Sequence, residues 1–200
     1  MTGLLDGGPG RGPAAARSRS RQDDVVLARA AALGDRDAFE QIVRLHGPGM
    51  LRYARRVLSD PGDAEEAVQD AFVAAWRSLD RYRGDSALRT WLFGLTSHKA
   101  VDLSRRRRAV PVDDEVARQR PAGSGSDPWE QASATELARA LDRALAELPY
   151  RQRACWLLAE LEGLSQAEIA QVLGIGPDAV RGQLFRARRA LEERMARWRP

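Results

Sequence analysis

The 200-residue chain carries 32 basic and 28 acidic residues, which gives a formal net charge of +4 at pH 7. It contains one cysteine, which excludes an intramolecular disulfide, and no apolar run approaches the ~20 residues of a membrane span. The first residues lack an apolar core of signal-peptide length, and we therefore expect a cytoplasmic protein without membrane insertion.

Two blocks with helical periodicity divide the chain. Residues 1–22 are rich in Gly, Pro, Ser and Arg and are expected to form a disordered tail. Residues 23–108 and 129–200 repeat apolar side chains at helical spacing and contain no strand pattern, which predicts an all-α protein of two small helical domains. Between them, residues 109–128 contain three prolines and a GSGS run, which predicts a flexible linker.

The first domain is predicted to begin with helices over residues 24–33 and 35–58. The sequence HGPG at residues 46–49 predicts a break or kink in the second of these. Asp60 and Pro61 mark the start of a third helix, as its N-cap and first residue. The apolar stripe of the third helix is predicted to be Val68, Phe72, Ala75, Trp76 and Leu79.

The opposite face of the third helix is acidic. It carries Glu65, Glu66, Gln69 and Asp70, and no Lys or Arg occurs between Arg56 and Arg77. Such a face is either a solvated helix surface or a docking surface for a basic protein, since charge-assisted hydrogen bonds are stronger than neutral ones.

An aromatic and basic segment ends the first domain. Tyr82 lies between two arginines in the loop of residues 80–86, and a fourth helix is predicted over residues 87–107. That helix carries Lys99 and ends in the four arginines of residues 105–108. Aromatic and basic side chains capture unstacked bases by stacking and phosphate contact, so the segment fits a surface that binds melted DNA.

The second domain is predicted to open with helices over residues 129–148 and 151–161 and to end in a helix-turn-helix. Ser165 and Glu168 fit a capping box, and Gly174 supplies the left-handed residue at the turn. Pro177 opens the second helix. The inward positions of the motif are predicted to be Ala167, Ile169, Ala170, Leu173, Val180, Leu184, Ala187 and Leu191. An ordinary helical hairpin with a solvated basic face is the alternative to a DNA reader.

Together these motifs resemble the group 4, or extracytoplasmic-function (ECF), sigma factors of bacterial RNA polymerase. The segment DAEEAVQDAFVAAW (residues 63–76) resembles region 2.2 of that family, and ALRTWLFGLTSHKAVDLSRRRR (residues 87–108) resembles regions 2.3 and 2.4. Residues 145–191 resemble region 4. The resemblance implies a sigma-2-like and a sigma-4-like domain. It also implies a factor that binds core polymerase, recognises −35 and −10 promoter elements and directs transcription initiation.

The resemblance assigns roles to the residues found above. Contacts with core polymerase, at the β′ clamp helices together with the β subunit, would be made by Glu65, Glu66, Gln69 and Asp70. Recognition and melting of the −10 element would involve Tyr82, Lys99 and Arg105. Recognition of the −35 element would involve Arg181, Phe185, Arg186 and, on the phosphates, Arg188. Family members are commonly inhibited by an anti-sigma factor, which is a further expected partner.

Three positions depart from the family pattern. His98 stands where many relatives carry asparagine, and Gly176 and Gly182 stand where relatives often carry a small hydroxyl residue. Gly176 therefore offers no side-chain cap to the second helix of the motif. Gly182 either lowers the helix propensity or permits close approach to the DNA backbone.

Two other functions compete with this interpretation. A stand-alone helix-turn-helix regulator would need no polymerase, but it leaves the acidic helix and the aromatic loop without a role. A nucleic-acid-processing enzyme would have to use His98 as its base. The sequence has no nucleophile–base pair, phosphate-cradling glycine loop or metal-ligand spacing, so we expect no catalytic residue, no metal site and no cofactor.

Overall fold

The computed structural model of the protein describes residues 13–58, 60–109 and 128–196. Side chains are described for residues 22–58, 60–106 and 136–196. The regular elements of these ranges are helices, without a strand, which confirms the all-α prediction. Within these ranges, none of the helices combines the length and the hydrophobicity that a membrane span requires. Residues 1–12 of the predicted tail and residues 110–127 of the predicted linker lie outside the described residues.

The first domain contains four α-helices and a short 3-10 turn. The elements are α1 (Pro13–Ala32), α2 (Arg36–Val57), α3 (Pro61–Ser78), the 3-10 turn (Leu79–Arg81) and α4 (Leu88–Ala109). Helix α1 begins at Pro13, so residues 13–22, which the sequence places in a disordered tail, belong to a helix. Proline at the first helical position followed by three alanines favours this early start.

Helix α2 continues through Pro48, although the HGPG sequence predicts a break or kink at this point. The structure keeps one helix from Arg36 to Val57. Ile42 before the proline and Met50 and Tyr53 after it are all buried in the same core. Packing on both sides of Pro48 therefore offsets the backbone hydrogen bond that proline removes.

The buried face of α3 consists of small side chains. Asp60 caps the helix by accepting a hydrogen bond from the Asp63 amide at 3.0 Å, and Pro61 is the first helical residue, as predicted. The fully buried positions are Ala64, Ala67, Ala71 and Ala75. These alanines let α2 and α4 approach closely on either side, and the larger side chains of the predicted stripe lie at the edges of this face. Only Ala75 and Leu79 of that stripe are buried, and Trp76 is 40% exposed.

The second domain contains the helix-turn-helix and the helices that support it. Its elements are α5 (Pro128–Ala146), α6 (Tyr150–Trp156), a π-helical segment (Leu157–Leu161), α7 (Gln166–Leu173) and α8 (Pro177–Arg194). The predicted helix over residues 151–161 is thus α-helical at first and π-helical at its end. The two domains are in contact, because α4 packs against α7 and α2 against α5 and α6.

The single cysteine lies in the core of the second domain. Cys155, on α6, is fully buried and carries a free thiol. Desolvation raises the pKa of this thiol to about 11, and the nearby Arg151 opposes the shift only in part.

We expect iodoacetamide to alkylate Cys155 on the order of a hundredfold more slowly in the native chain than in the denatured chain. The reason is that the thiolate is the nucleophile and that burial suppresses both its formation and its access. Mass spectrometry of samples quenched at intervals, at neutral pH, measures both rates. Equal rates would show that the Cys155 thiol is accessible and reactive in the native chain.

Candidate binding surfaces

The acidic residues predicted to bind a protein partner lie on one face of α3. Glu65, Glu66 and Gln69 are exposed. The Arg55 Nη2 donates a hydrogen bond to Glu65 Oε1 at 2.9 Å, which ties this end of the face to α2. Asp70 is half-buried, and its Oδ2 lies 3.6 Å from the Nζ of Lys99 on α4. The structure therefore brings together two residues that the sequence assigns to different surfaces, Asp70 to core polymerase and Lys99 to DNA.

An exposed apolar strip continues this acidic face along the same helix. Val73 and Trp76 follow Gln69 at helical spacing and are 43% and 40% exposed. The Trp76 ring meets the edge of Phe39, with ring centroids 4.9 Å apart. An exposed tryptophan beside charged residues is a common centre of a protein interface. This apolar strip could have been predicted from the sequence, because Gln69, Val73 and Trp76 share one helical face.

The residues predicted to bind the −10 element occupy the loop and helix before the linker. The Tyr82 hydroxyl donates a hydrogen bond to the Ser86 carbonyl at 2.7 Å, and its ring packs against Trp91 with centroids 5.4 Å apart. Tyr82 thus holds the loop on α4 and is half-buried. Arg105 is exposed on α4, a rise of about 9 Å along the helix from Lys99. Tyr82 thus lies in the loop before α4, whereas Lys99 and Arg105 lie on α4 itself.

Local signals position the helix-turn-helix. The Ser165 Oγ accepts a hydrogen bond from the Glu168 amide at 3.3 Å, and Glu168 Oε2 accepts one from the Ser165 amide at 2.9 Å, so the predicted capping box is present. Gly174 takes the left-handed conformation with φ +61°, and Pro177 opens α8. The buried residues of the motif are Ile169, Ala170, Val172, Val180, Leu184, Ala187 and Leu191. The predicted inward side of α8 is confirmed, whereas Ala167 on α7 is exposed.

The outer face of α8 carries the residues predicted to read the −35 element. Phe185 is 67% exposed, and the neighbouring Arg186 is exposed as well. Arg181 forms an ion pair with Asp178 one turn earlier on α8. Arg188 turns toward the π-helical segment, where its Nη2 lies 2.7 Å from Glu160 Oε1. Of the four predicted residues, Phe185 and Arg186 are thus neighbours that are both exposed on the outer face of α8.

The two glycines that depart from the family pattern are compatible with side chains. Gly176 is the N-cap of α8 without a side-chain hydrogen bond, and a Cβ there would meet nothing within 4 Å. A Cβ at Gly182 would lie 3.5 Å from the Arg186 guanidinium, which is ordinary van der Waals contact. Packing within the described chain therefore does not require glycine at either position.

Comparison with known proteins shows which protein family both domains match. The chain matches the family model for sigma-70 region 2 over residues 42–110 and the model for sigma-70 region 4 over residues 138–191. It is 32% identical to the ECF RNA polymerase sigma factor SigM of Mycobacterium tuberculosis, over 86% of this chain and 85% of that protein. It is 33% identical to the ECF RNA polymerase sigma-E factor of Escherichia coli, over 86% of this chain and 94% of that protein.

Solved structures show the same relationship. The sigma factor CnrH in complex with the cytosolic domain of CnrY is similar with a TM-score of 0.65 and 34% identity, covering 86% of this chain and 96% of CnrH. The sigma factor RpoE of Bartonella quintana, in complex with the anti-sigma factor NepR, has a TM-score of 0.64 and 25% identity, covering 79% of this chain and 96% of RpoE. The two matched regions, their order along the chain and the full-length relatives agree, and the chain belongs to the ECF RNA polymerase sigma factors of the sigma-70 family.

Proposed function

We propose that this chain binds core RNA polymerase through α3 and directs it to promoters through two DNA-binding surfaces, as a cytoplasmic initiation factor and not as an enzyme. One observation carries the proposal: the same chain presents an acidic and apolar face on α3 and an exposed Phe185–Arg186 pair on the second helix of a helix-turn-helix. A stand-alone DNA-binding regulator has no use for the first of these surfaces.

Core binding would combine charge and apolar contact on α3. Glu66 and Gln69 are exposed and supply hydrogen-bond acceptors toward basic helices of the β′ clamp. Val73 and Trp76 add an apolar centre that loses water on binding. Glu65 and Asp70 would join the face from its edges, where they already contact Arg55 and Lys99.

The −10 surface would run from Tyr82 along α4 to Arg105. Arg105 is exposed in the C-terminal part of α4, where its guanidinium would follow the phosphate backbone. Lys99 lies between this path and α3, so phosphate binding by Lys99 would compete with its contact to Asp70. The half-buried Tyr82 would support the loop and offer one edge of its ring to an unstacked base.

The −35 surface would be the outer face of α8. Arg186 and Phe185 would contact base edges in the major groove, and Arg181 would exchange its partner Asp178 for DNA. Arg188, which is held by Glu160, would bind phosphate at the rim.

An anti-sigma factor is the proposed inhibitor. The RpoE structure was determined with the anti-sigma factor NepR bound, and the CnrH structure with the cytosolic domain of CnrY bound. This chain matches both sigma factors over most of its length. By analogy, a partner of this kind would cover the same polymerase- and DNA-binding faces.

Run-off transcription with purified core polymerase tests the proposed function. We expect a promoter-dependent transcript only when the chain is added to core, together with retention of the core–chain complex on gel filtration. His98→Ala serves as a control, because an enzyme that used His98 as its base would lose its activity, whereas initiation should be unchanged. Sequence-specific DNA binding without any transcript would favour the stand-alone regulator.

A further inference from the structure

The arginines of α8 differ in their partners. Most of them form ion pairs, which are Arg181 with Asp178, Arg188 with Glu160, Arg189 with Glu193 and Arg194 with Glu147. Arg186 has no such partner among the residues whose side chains the structure describes, and it forms no hydrogen bond with them. Within that part of the chain, Arg186 therefore carries the positive charge of α8 that no carboxylate compensates.

The Arg186 guanidinium lies back along α8, against Gly182. A Cβ built on Gly182 would be 3.5 Å from both Nη1 and Nη2 of Arg186 and 3.8 Å from its Cζ. Side chains of an α-helix lean toward its N-terminus, so a long side chain covers the turn before its own. The guanidinium thus lies near the level of residue 182, about 6 Å closer to the N-terminal end of α8 than the Arg186 Cα.

Neither the backbone nor the packing at residue 182 requires glycine. The φ angle of Gly182 is not positive, and an added Cβ would be in ordinary van der Waals contact. Glycine inside a helix is even destabilising relative to alanine. What glycine does provide is space beyond the Cβ position. The γ atoms of a larger residue would extend about 1.5 Å further, toward the place that the guanidinium occupies.

The position of this guanidinium matters for reading DNA. The N-terminal residues of a recognition helix contact base edges in the major groove, and arginine binds guanine there through O6 and N7. Arg181 must give up Asp178 before it can make such a contact, whereas Arg186 has no ion pair to lose. The turn over which the Arg186 side chain lies therefore decides which base pair it reaches.

We propose that Gly182 is a positioning residue that determines specificity: because it has no side chain, Arg186 lies over it and reads a guanine of the −35 element from that place. The reading of DNA rests on the proposed function, whereas the position of the guanidinium over Gly182 does not. A side chain that extends beyond Cβ would displace the guanidinium and relax this base preference without removing any charge.

Nuclear magnetic resonance of the full chain tests the position of Arg186 without DNA or polymerase. The Nε–Hε signal of Arg186 is identified as the one that is missing from Arg186→Ala. In the native chain we expect a nuclear Overhauser contact between this Hε and the Hα protons of Gly182. In Gly182→Val we expect the contact with residue 182 to be lost. Absence of the contact in the native chain, or its persistence beside valine, would overturn the proposal.

A pool of promoter templates with a randomised −35 element measures the base preference. With purified core, we expect Gly182→Val to reduce the preference for guanine at one position by roughly tenfold, at the same position as Arg186→Ala. Valine favours a helix at least as well as glycine, so α8 should remain folded, and circular dichroism verifies this. An unchanged preference in Gly182→Val would contradict the proposal.

Ala167→Val is the matched control for an added apolar side chain in the same motif. Ala167 is exposed on α7, the first helix of the helix-turn-helix. In this motif the first helix crosses the DNA backbone and the second enters the groove, so Ala167→Val should keep the native base preference. The same change of preference in this control would show that the effect of valine is not specific to residue 182, and would overturn the proposal.

The double variant Gly182→Val with Arg186→Ala separates positioning of Arg186 from direct approach of α8 to the DNA. If Gly182 acts through Arg186, valine has no further effect on the base preference once the arginine is absent. A further loss of similar size would show that residue 182 meets the DNA itself, against the proposal. Absence of promoter-dependent transcripts from every chain would refute the proposed function and with it the role in specificity, but the magnetic resonance result would stand.

Discussion

Reversing the charge on the exposed acidic face of α3 is expected to weaken binding to core RNA polymerase by about 2–3 kcal/mol, or roughly 30- to 150-fold. The variant is Glu66→Arg with Gln69→Arg. Both side chains are exposed, so the substitutions bury no charge and leave the helix core of alanines intact. Arginines at these positions would face the basic clamp helices of the polymerase, and like charges in an interface are strongly unfavourable.

Asp70 is left unchanged in this variant because it contacts Lys99 at 3.6 Å. An arginine there would add repulsion inside the first domain and confuse loss of binding with loss of stability. Competition of labelled native chain against each variant for purified core measures the affinity.

The matched control places the same charge change on another helix. Gln22→Arg with Asp23→Arg also replaces one exposed glutamine and one exposed acid, but on α1. We expect this control to bind core like the native chain and both variants to keep their melting temperatures. Normal core affinity in the α3 variant would show that the acidic face is a solvated helix surface.

Local features of the fold were predictable because each depends on neighbours within one turn. The N-cap Asp60, the capping box of Ser165 and Glu168, and the left-handed Gly174 all lie where the sequence predicts them. Each of these signals is a hydrogen bond or a backbone conformation that a few adjacent residues determine. The helical periodicity of α8 is equally local, and all four of its predicted inward residues are buried.

Features that depend on tertiary packing were not predictable in the same way. Pro48 stays inside a helix because distant elements hold both sides of it. Trp76 belongs to an apolar stripe by periodicity, yet the core beside α3 is filled by alanines and leaves the ring at the surface. The ion pair of Arg52 with Glu162 joins residues 110 positions apart, and no pattern along the chain links them.

Removing the Arg186 side chain is expected to cost about 1–3 kcal/mol in recognition of the −35 element if the guanidinium contacts a base edge. Arg186 is exposed beside Phe185 on α8, and its guanidinium lies against Gly182 one turn earlier, where an added Cβ would be 3.5 Å away. Arg186→Ala should therefore reduce the discrimination between the native −35 sequence and a substituted one. Initiation rates of core reconstituted with each chain, on both templates, measure this discrimination.

Arg189→Ala is the control for the general effect of losing one positive charge from α8. Arg189 is exposed and pairs with Glu193 one turn later, at 3.2 Å. Its loss should lower initiation by a similar factor on both templates, because a phosphate contact or a solvated charge carries no sequence information. This factor should be smaller than the one for Arg186→Ala. If Arg186→Ala likewise weakened both templates equally, Arg186 would act on the DNA backbone. Sequence readout would then have to come from Arg181 and Phe185, whose exposed side chains share the same outer face.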